Sequence, residues 1–278
     1  MNPTSASHFS GLNAPASLTD KELGLFQRLM LEEAGITLSP AKKALVYGRL
    51  ARRLKTHGCN SFEDYHALLL QNSQELQTAI DLLTTNETYF FREPRHFEFL
   101  REVALGSGRD RTFRVWSAAC SSGEEVYTLA MILADTLGYG RWSVLGSDLN
   151  SEVLARARIG HYKLARTEGI PREFLSAFCL KGTGSQAGTL LIDRSLREQC
   201  EFRQINLNAQ LPALEPFDAI FLRNVMIYFS PATKQAVVKR IQSLLRPGGY
   251  LVIGHSESLH GISSDLQMIR PSIYRRAT

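Results

Sequence analysis

The 278-residue sequence has no run approaching about 18 consecutive apolar residues, which excludes a membrane-spanning helix. Its opening stretch, MNPTSASHFSGLNAPAS, has neither the basic nor the apolar segment of a secretory leader, so the expected compartment is the cytoplasm. Cysteine is scarce. Cys59, Cys120, Cys179 and Cys200 are scattered with no C-x-x-C pair, which argues against a disulfide framework or a thiolate zinc site and leaves them as free thiols. The G-x-G-x-x-G loop that cradles a dinucleotide pyrophosphate is missing, as are internal repeats. At 44% hydrophobic and 21% charged residues the chain is a folded globular one, long enough for one large domain or two modest ones.

The net charge of +5 matters less than its placement. Between Glu33 and Glu63 there are six basic residues, Lys42, Lys43, Arg49, Arg52, Arg53 and Lys55, and no acid. Such a face suits a partner rich in phosphate or carboxylate, and composition leaves both open.

Residues 1–17, rich in Ser, Ala, Asn, Gly and Pro, have no apolar period and are expected to form a mobile tail. Thr19 followed by Glu22 forms a capping box ahead of Leu25, Phe26, Leu29 and Met30 at helical spacing. Ser39-Pro40 predicts a second helix to about Thr56, with Lys42, Arg49, Arg52 and Arg53 on one side and Leu45, Val46, Leu50 and Leu54 opposite. Ser61 and Ser73 start two more helices, so the first part of the chain is all-helical. From Thr112 the pattern changes. Short apolar runs at Phe113–Trp116, Ser143–Gly146, Ala219–Leu222 and Tyr250–Ile253 mostly alternate with helical stretches, which predicts parallel strands and a doubly wound α/β domain. Between Tyr162 and Phe202, Gly182-Thr183-Gly184 and Gly188 flank Leu190-Leu191-Ile192, the pattern of a small antiparallel excursion.

Ligands of such sheets bind at the carboxyl ends of the strands, where the strand order switches. After the first strand comes Ala118-Ala119-Cys120-Ser121-Ser122-Gly123-Glu124-Glu125, small residues followed by carboxylates that repel a phosphate and favour a cationic ligand. Asp148, after the second strand, is placed to accept ribose hydroxyls or to cap the next helix. A nucleoside-binding loop with carboxylates and no pyrophosphate cradle fits S-adenosylmethionine, whose amino and sulfonium groups are cationic. Asn206 offers an amide where an adenine edge lies, and Arg223-Asn224 is a polar tip on a buried strand.

Four runs then carry a family resemblance: Thr84-Thr85-Asn86-Glu87-Thr88-Tyr89-Phe90-Phe91-Arg92-Glu93, Arg114 to Glu125, Arg223-Asn224-Val225-Met226-Ile227-Tyr228-Phe229, and Gly254-His255-Ser256-Glu257. Over about residues 20–275 the chain resembles the bacterial chemotaxis receptor methyltransferases, the CheR family. The resemblance implies an α/β fold: a small N-terminal all-helical domain (18–80), an interdomain cofactor-contacting segment (81–95) and a Rossmann-like methyltransferase domain (96–278) with an inserted antiparallel β-subdomain near 163–203. It implies an enzyme that uses S-adenosylmethionine to methylate glutamate side chains on cytoplasmic helices of chemoreceptors, leaving S-adenosylhomocysteine. It places Asn86, Thr88, Arg92, Asp148, Asn206, Leu207, Arg223, Asn224 and one of Glu124 or Glu125, with Glu125 favoured, on the cofactor. Arg92 and Tyr228 fall near the substrate carboxylate. Lys42, Arg49, Arg52 and Arg53 become candidates for docking the acidic receptor helices, against the alternative of a solvated face. The segment with Gly182 and Gly184 resembles the subdomain with which some members bind a receptor's C-terminal tail by strand addition, although a plain hairpin turn needs the same glycines.

The chemistry implied needs no general base, because a glutamate with a reference pKa near ~4.3 is already an oxygen nucleophile at neutral pH. Tyr89, Phe90 and Phe91 are expected in the core, and His255 and His260, with no partner ligands nearby in sequence, are expected to be structural, with no metal. A monomer is expected. Two rivals stay in view. A nucleic-acid methyltransferase would use the basic helix on phosphates, but Asn224-Val225-Met226-Ile227-Tyr228 is not the Asn/Asp-Pro-Pro-Tyr/Phe run of many amino-group methyltransferases. An idle cofactor-binding scaffold is disfavoured by retention of the cofactor-side residues.

Overall fold

A computed structural model describes residues 17–108, 110–262 and 264–277. Apart from Ser17, the expected tail over residues 1–17 lies outside the described residues. The described residues form two compact units, one from 17–28 with 39–83 and the other from 29–38 with 84–277.

The first unit is helical. Helix α1 (Asp20–Ala34), whose last turns belong to the second unit, opens on a reciprocal cap: the Thr19 N–H donates to Glu22 Oε2 at 2.8 Å and Thr19 Oγ1 accepts the Glu22 N–H at 3.2 Å. Burial works against the charge of Glu22, yet hydrogen bonds from Thr19 and from the Glu63 N–H hold its pKa below the usual value. Pro40–Lys42 forms one 3-10 turn before α2 (Lys43–Thr56), and Ser39 makes no side-chain cap bond, so Ser39-Pro40 opens a tight turn and not the α-helix itself. Ser61 caps α3 (Phe62–Leu69) through a second reciprocal box with Asp64, and α4 (Ser73–Leu83) follows. Phe26, Val46, Leu50, Leu54, Phe62 and Tyr65 are buried, with Phe26 and Phe62 edge to face at 6.1 Å.

One carboxylate in this unit corrects the reading of the basic stripe. Glu75 on α4 is only 4% exposed and accepts from Arg53 Nε at 2.8 Å and Tyr65 Oη at 2.6 Å, with His57 Nε2 at 2.9 Å. Burial opposes its charge, but Arg53, Tyr65 and His57 outweigh that and bring its pKa down to about 2. Arg53 is therefore the counter-ion of a buried acid and no free docking charge. Arg49 is likewise turned inward, donating to the Leu82 carbonyl at 2.9 Å. Lys42 and Arg52 are the two members of the predicted stripe that stay exposed.

The second unit begins with α5 (Arg95–Leu105) and then alternates: β1 (Phe113–Ala118), α6 (Glu124–Leu137), β2 (Trp142–Asp148) and α7 (Ser151–Ile159). An insertion follows, made of β3 (His161–Lys163), α8 (Arg172–Phe178), β4 (Cys179–Lys181), β5 (Thr189–Ile192) and α9 (Arg194–Arg197). The main sheet resumes with β6 (Cys200–Gln204), β7 (Phe217–Leu222), α10 (Pro231–Ser243), β8 (Leu245–Ile253), β9 (Leu266–Arg270) and β10 (Ile273–Arg276). Its order is β6-β2-β1-β7-β8-β10-β9, parallel from β6 through β8, with β10 antiparallel to both β8 and β9. Val115 of β1 lies opposite Val144 and Ala219, and these join the core on one face, where α5 and α6 supply Phe97, Leu100 and Leu129. Trp116, Leu145 and Ile220 point to the other face, covered by Val237, Val238 and Ile241 of α10. The fold is α/β, and the chain leaves β1 in one direction and β7 in the other, which sets the switch point between them.

The insertion is a separate antiparallel sheet of order β3-β5-β4. The Gly182 N–H donates to the Thr189 carbonyl at 2.9 Å, and a Cβ on Gly182 would meet the Gln186 carbonyl oxygen at 2.0 Å. Gly184 has φ +55°. Both glycines are required by the turn that joins β4 to β5, so they mark a hairpin and carry no separate sign of a ligand.

Candidate active site

A pocket opens at the carboxyl ends of β1, β2, β6 and β7, all of it within the second unit. The loop after β1 is laced to the end of β2: the Cys120 N–H donates to the Ser147 carbonyl at 2.8 Å and the Ser121 N–H to Asp148 Oδ2 at 2.8 Å. Asp148 also accepts the Asn150 N–H at 3.0 Å and lines the pocket. The cap of α7 is Asn150, whose side chain accepts the Val153 N–H at 3.1 Å. Asp148 therefore does not serve as the helix cap.

The two loop carboxylates part company. Glu124 has no exposed surface and pairs with Arg166 of the insertion at 2.6 Å, while Ser122 Oγ donates to it at 2.7 Å. Glu125 lines the pocket, accepting Ser117 Oγ at 2.6 Å and Arg223 Nη1 at 2.7 Å.

Arg223, at the tip of β7, is the hub. Its side chain is 1% exposed, pairs with Glu125 through Nη1 and with Glu93 through Nη2 at 2.9 Å, and donates to the Arg92 carbonyl at 2.5 Å. A buried guanidinium needs this compensation, because breaking a buried pair costs about 3–5 kcal/mol. Burial works against the charge of Glu93, but Arg223 beside it keeps its pKa below the usual carboxylate value. His96, buried next to them, is pushed down to about 4 by burial and by repulsion from Arg223, and stays neutral.

Arg92 stands in contrast. It lines the same pocket, lies 5.6 Å over the Tyr89 ring and donates to the Glu87 carbonyl at 3.2 Å, and among the described residues no carboxylate pairs with it. Its neighbours Phe91 (φ +57°) and Glu93 (φ +60°) are both left-handed, which costs of order 1–2 kcal/mol each. That strain is held by the Phe91 N–H to Thr128 Oγ1 bond at 3.2 Å and by the Glu93 to Arg223 pair.

Asn86, Thr88, Arg92, Glu125, Asp148, Asn206, Leu207, Arg223, Asn224 and Tyr228 all line this one pocket. Asn206 does so with its amide spent on the fold: Nδ2 donates to the Glu33 carbonyl at 2.6 Å and Oδ1 accepts the Asn208 N–H at 2.9 Å. Lys42, Arg49, Arg52 and Arg53 belong to the first unit, and Gly182 and Gly184 to the small sheet, so none of them is in the pocket. Phe90 is buried as expected, whereas Tyr89 is 52% exposed and forms pocket wall. The sequence reading also passed over Glu93 and Phe97, because their partner Arg223 is far off in the chain.

One group of possible metal ligands lies beside Arg223. Ligand atoms of Glu93, His96 and His255 lie within 4.8 Å of one another, although Glu93 Oε2 already accepts from Arg223 and from the His255 N–H at 3.2 Å. His260 is not part of that group.

Two family models match the chain: "CheR methyltransferase, SAM binding domain" over residues 86–274, and "CheR methyltransferase, all-alpha domain" over residues 21–84. The chain is 41% identical over 263 residues to the chemotaxis protein methyltransferase of Salmonella typhimurium, covering 93% of this chain and 91% of that protein. It is 34% identical over 278 residues to the chemotaxis protein methyltransferase of Borreliella burgdorferi, covering 95% and 97%. Among solved structures, the N-methyltransferase NodS from Bradyrhizobium japonicum matches with a TM-score of 0.38 at 15% identity, covering 67% of this chain and 97% of that one.

Proposed function

Because the chain belongs to the CheR methyltransferase family and carries its SAM-binding domain, we propose that it methylates glutamate side chains on the cytoplasmic helices of bacterial chemoreceptors, yielding glutamate methyl esters. It is an S-adenosylmethionine-dependent methyltransferase, and the glutamate acceptor is the further step. The observation that carries this step is the contrast of two arginines in one pocket. Arg223 is neutralised by Glu93 and Glu125, while Arg92 has no carboxylate partner among the described residues and is left to hold an incoming one.

The pocket suits the cofactor. Glu125 and Asp148 provide two carboxylates for a ligand bearing cationic groups and a ribose, and Ile205, Leu207 and Phe97 give an apolar wall. Asn86, Thr88, Arg92, Glu125, Asp148, Asn206, Leu207, Arg223 and Asn224 are the residues assigned to hold it. When bound, S-adenosylmethionine supplies a methyl group activated by a sulfonium. The chain's own residues orient the acceptor carboxylate and strip part of its water, and orientation alone contributes roughly 7–11 kcal/mol. Arg92 positions that carboxylate and Tyr228 the reacting oxygen. No base is required, since the acceptor is already ionised.

The receptor is the assigned partner, met in the cytoplasm at receptor arrays by a monomer. Lys42, in the turn before α2, and Arg52 of α2 are the exposed members of the basic stripe left for its acidic helices, and the outer edge of β4 is available for strand addition by a tail peptide. Transfer of tritiated methyl from S-adenosylmethionine into chemoreceptor-bearing membranes, read as base-released volatile label, tests the reading. Label that stays in the protein after base treatment would overturn it.

A further inference from the structure

The run Gly254-His255-Ser256-Glu257 follows β8 and supplies no wall of the pocket, yet Glu257 reaches the loop that does. Its Oε2 accepts the Asn224 N–H at 2.8 Å and the Gly254 N–H at 2.8 Å, and its Oε1 accepts the Ile227 N–H at 3.3 Å. The Asn224 and Ile227 amides lie in the segment that runs from Asn224 to Tyr228, the second directly before Tyr228. Asn224 sits at φ +58°, and Met226–Tyr228 is a single 3-10 turn, a form too short to hold itself. The N–H groups at the start of such a turn have no partner within it, and a carboxylate is the strongest acceptor available for them.

We propose that Glu257 is a positioning residue for methyl transfer, acting through Asn224 and Tyr228 by fixing the loop between them. The inference rests on reading the pocket as the methyl-transfer site. Two features make the anchor specific. One oxygen is shared between the loop after β7 and the end of β8, so the carboxylate ties the loop to the sheet. Gly254 allows that approach, because a Cβ there would meet Asn224 Nδ2 at 2.5 Å and Glu257 Oε2 at 2.9 Å. The amides that Glu257 accepts from belong to Asn224, Ile227 and Gly254, and Glu125 of α6, Asp148 at the end of β2 and Leu207 after β6 are held by other elements, so that part of the cofactor wall stays in place when the anchor is cut.

The test compares the wild-type chain with Glu257→Gln, Glu257→Ala and Gly254→Ala. Two readouts are used: amide hydrogen exchange over residues 222–229, and kcat per site titrated with S-adenosylhomocysteine. Glutamine keeps one acceptor oxygen and loses the other, so it is expected to be intermediate. Exchange over 222–229 should rise at least about tenfold in Glu257→Ala, since losing a charge-assisted bond of roughly 1.5–3 kcal/mol corresponds to about that opening or more. The segments 84–92 and 147–149 should not change. kcat should fall by about tenfold or more while S-adenosylhomocysteine affinity, to which Asn224 is only one of the contributors, falls by clearly less, and Gly254→Ala should reproduce the effect without altering charge. Unchanged exchange over 222–229, unchanged kcat per site, or equal loss of kcat and cofactor affinity would each overturn the proposal. If the wild type transfers no methyl, the reading of the pocket fails on its own, and the exchange data still decide whether Glu257 holds the loop.

Discussion

The two pocket arginines give the sharpest contrast, because one substitution at each should have opposite signatures. Arg223→Met removes the cation that pairs with both Glu93 and Glu125, whose side chains are each 13% exposed. Leaving buried carboxylates uncompensated costs about 3–5 kcal/mol, or roughly 6–20 °C in Tm at about 2–4 °C per kcal/mol for a unit of this size. The pH dependence fixes the cause. In the variant Glu93 loses the cation that holds its folded-state pKa down, so the folded chain binds more protons and the deficit against wild type shrinks as pH falls. Adding Glu93→Gln should recover part of the loss. Arg92→Met removes a half-buried side chain whose fold partner is one carbonyl, and should move Tm by only a degree or two. It should lower kcat/KM by roughly 10- to 150-fold, the equivalent of about 1.5–3 kcal/mol for a hydrogen bond to a charged group. Thermal melts across pH with methyl-transfer kinetics on both variants decide the matter. Equal stability losses, or an Arg223→Met deficit that is flat with pH, would refute the assignment of roles.

Three further outcomes are expected. Tyr228→Phe should lose mainly turnover, with KM for the receptor and affinity for S-adenosylhomocysteine little changed; steady-state kinetics with unchanged kcat would remove Tyr228 from the chemistry. Reversal of charge at Lys42 and Arg52 should raise KM for receptor more than it lowers kcat, and more so at low salt, whereas Arg53→Glu should unfold the first unit by stranding Glu75, as seen by circular dichroism. His96 stays neutral with a folded pKa of about 4 against a reference near ~6.5, so its contribution is complete above about pH 6.5 and is lost by about pH 4. That window is worth roughly 3 kcal/mol at about 1.4 per unit, and denaturant titrations should show a shallower acid loss in His96→Gln.

The parts of the fold that were legible in the chain are those with a strong local pattern. β1, β2, β7 and β8 are apolar runs set between helices, and their carboxyl ends led to the loops that form the pocket. β9 and β10 were not legible, because Leu266–Arg270 and Ile273–Arg276 are about half polar, β9 being the sheet edge and β10 its neighbour. Their turn also places Ser272 at φ +64°, where a glycine would have been the visible signal. Helical periodicity found the basic side of α2 but not what faces it, since Glu75 lies on another helix. The same limit hid Glu93 and Glu257, which act on residues distant in sequence and close only through the sheet. Asn206 illustrates the reverse: its position was legible, but the use of its amide by Glu33 and Asn208 depends on tertiary packing.

The most direct measurement is residue-level mass spectrometry of chemoreceptor incubated with the chain and S-adenosylmethionine, with RNA and DNA present as competing acceptors. Glutamates one methylene heavier, reverting on base treatment and forming roughly 10- to 150-fold more slowly with Arg92→Met, are expected. Methyl groups on nucleic acid, or on receptor nitrogen atoms where base does not remove them, would contradict carboxyl methylation by this pocket.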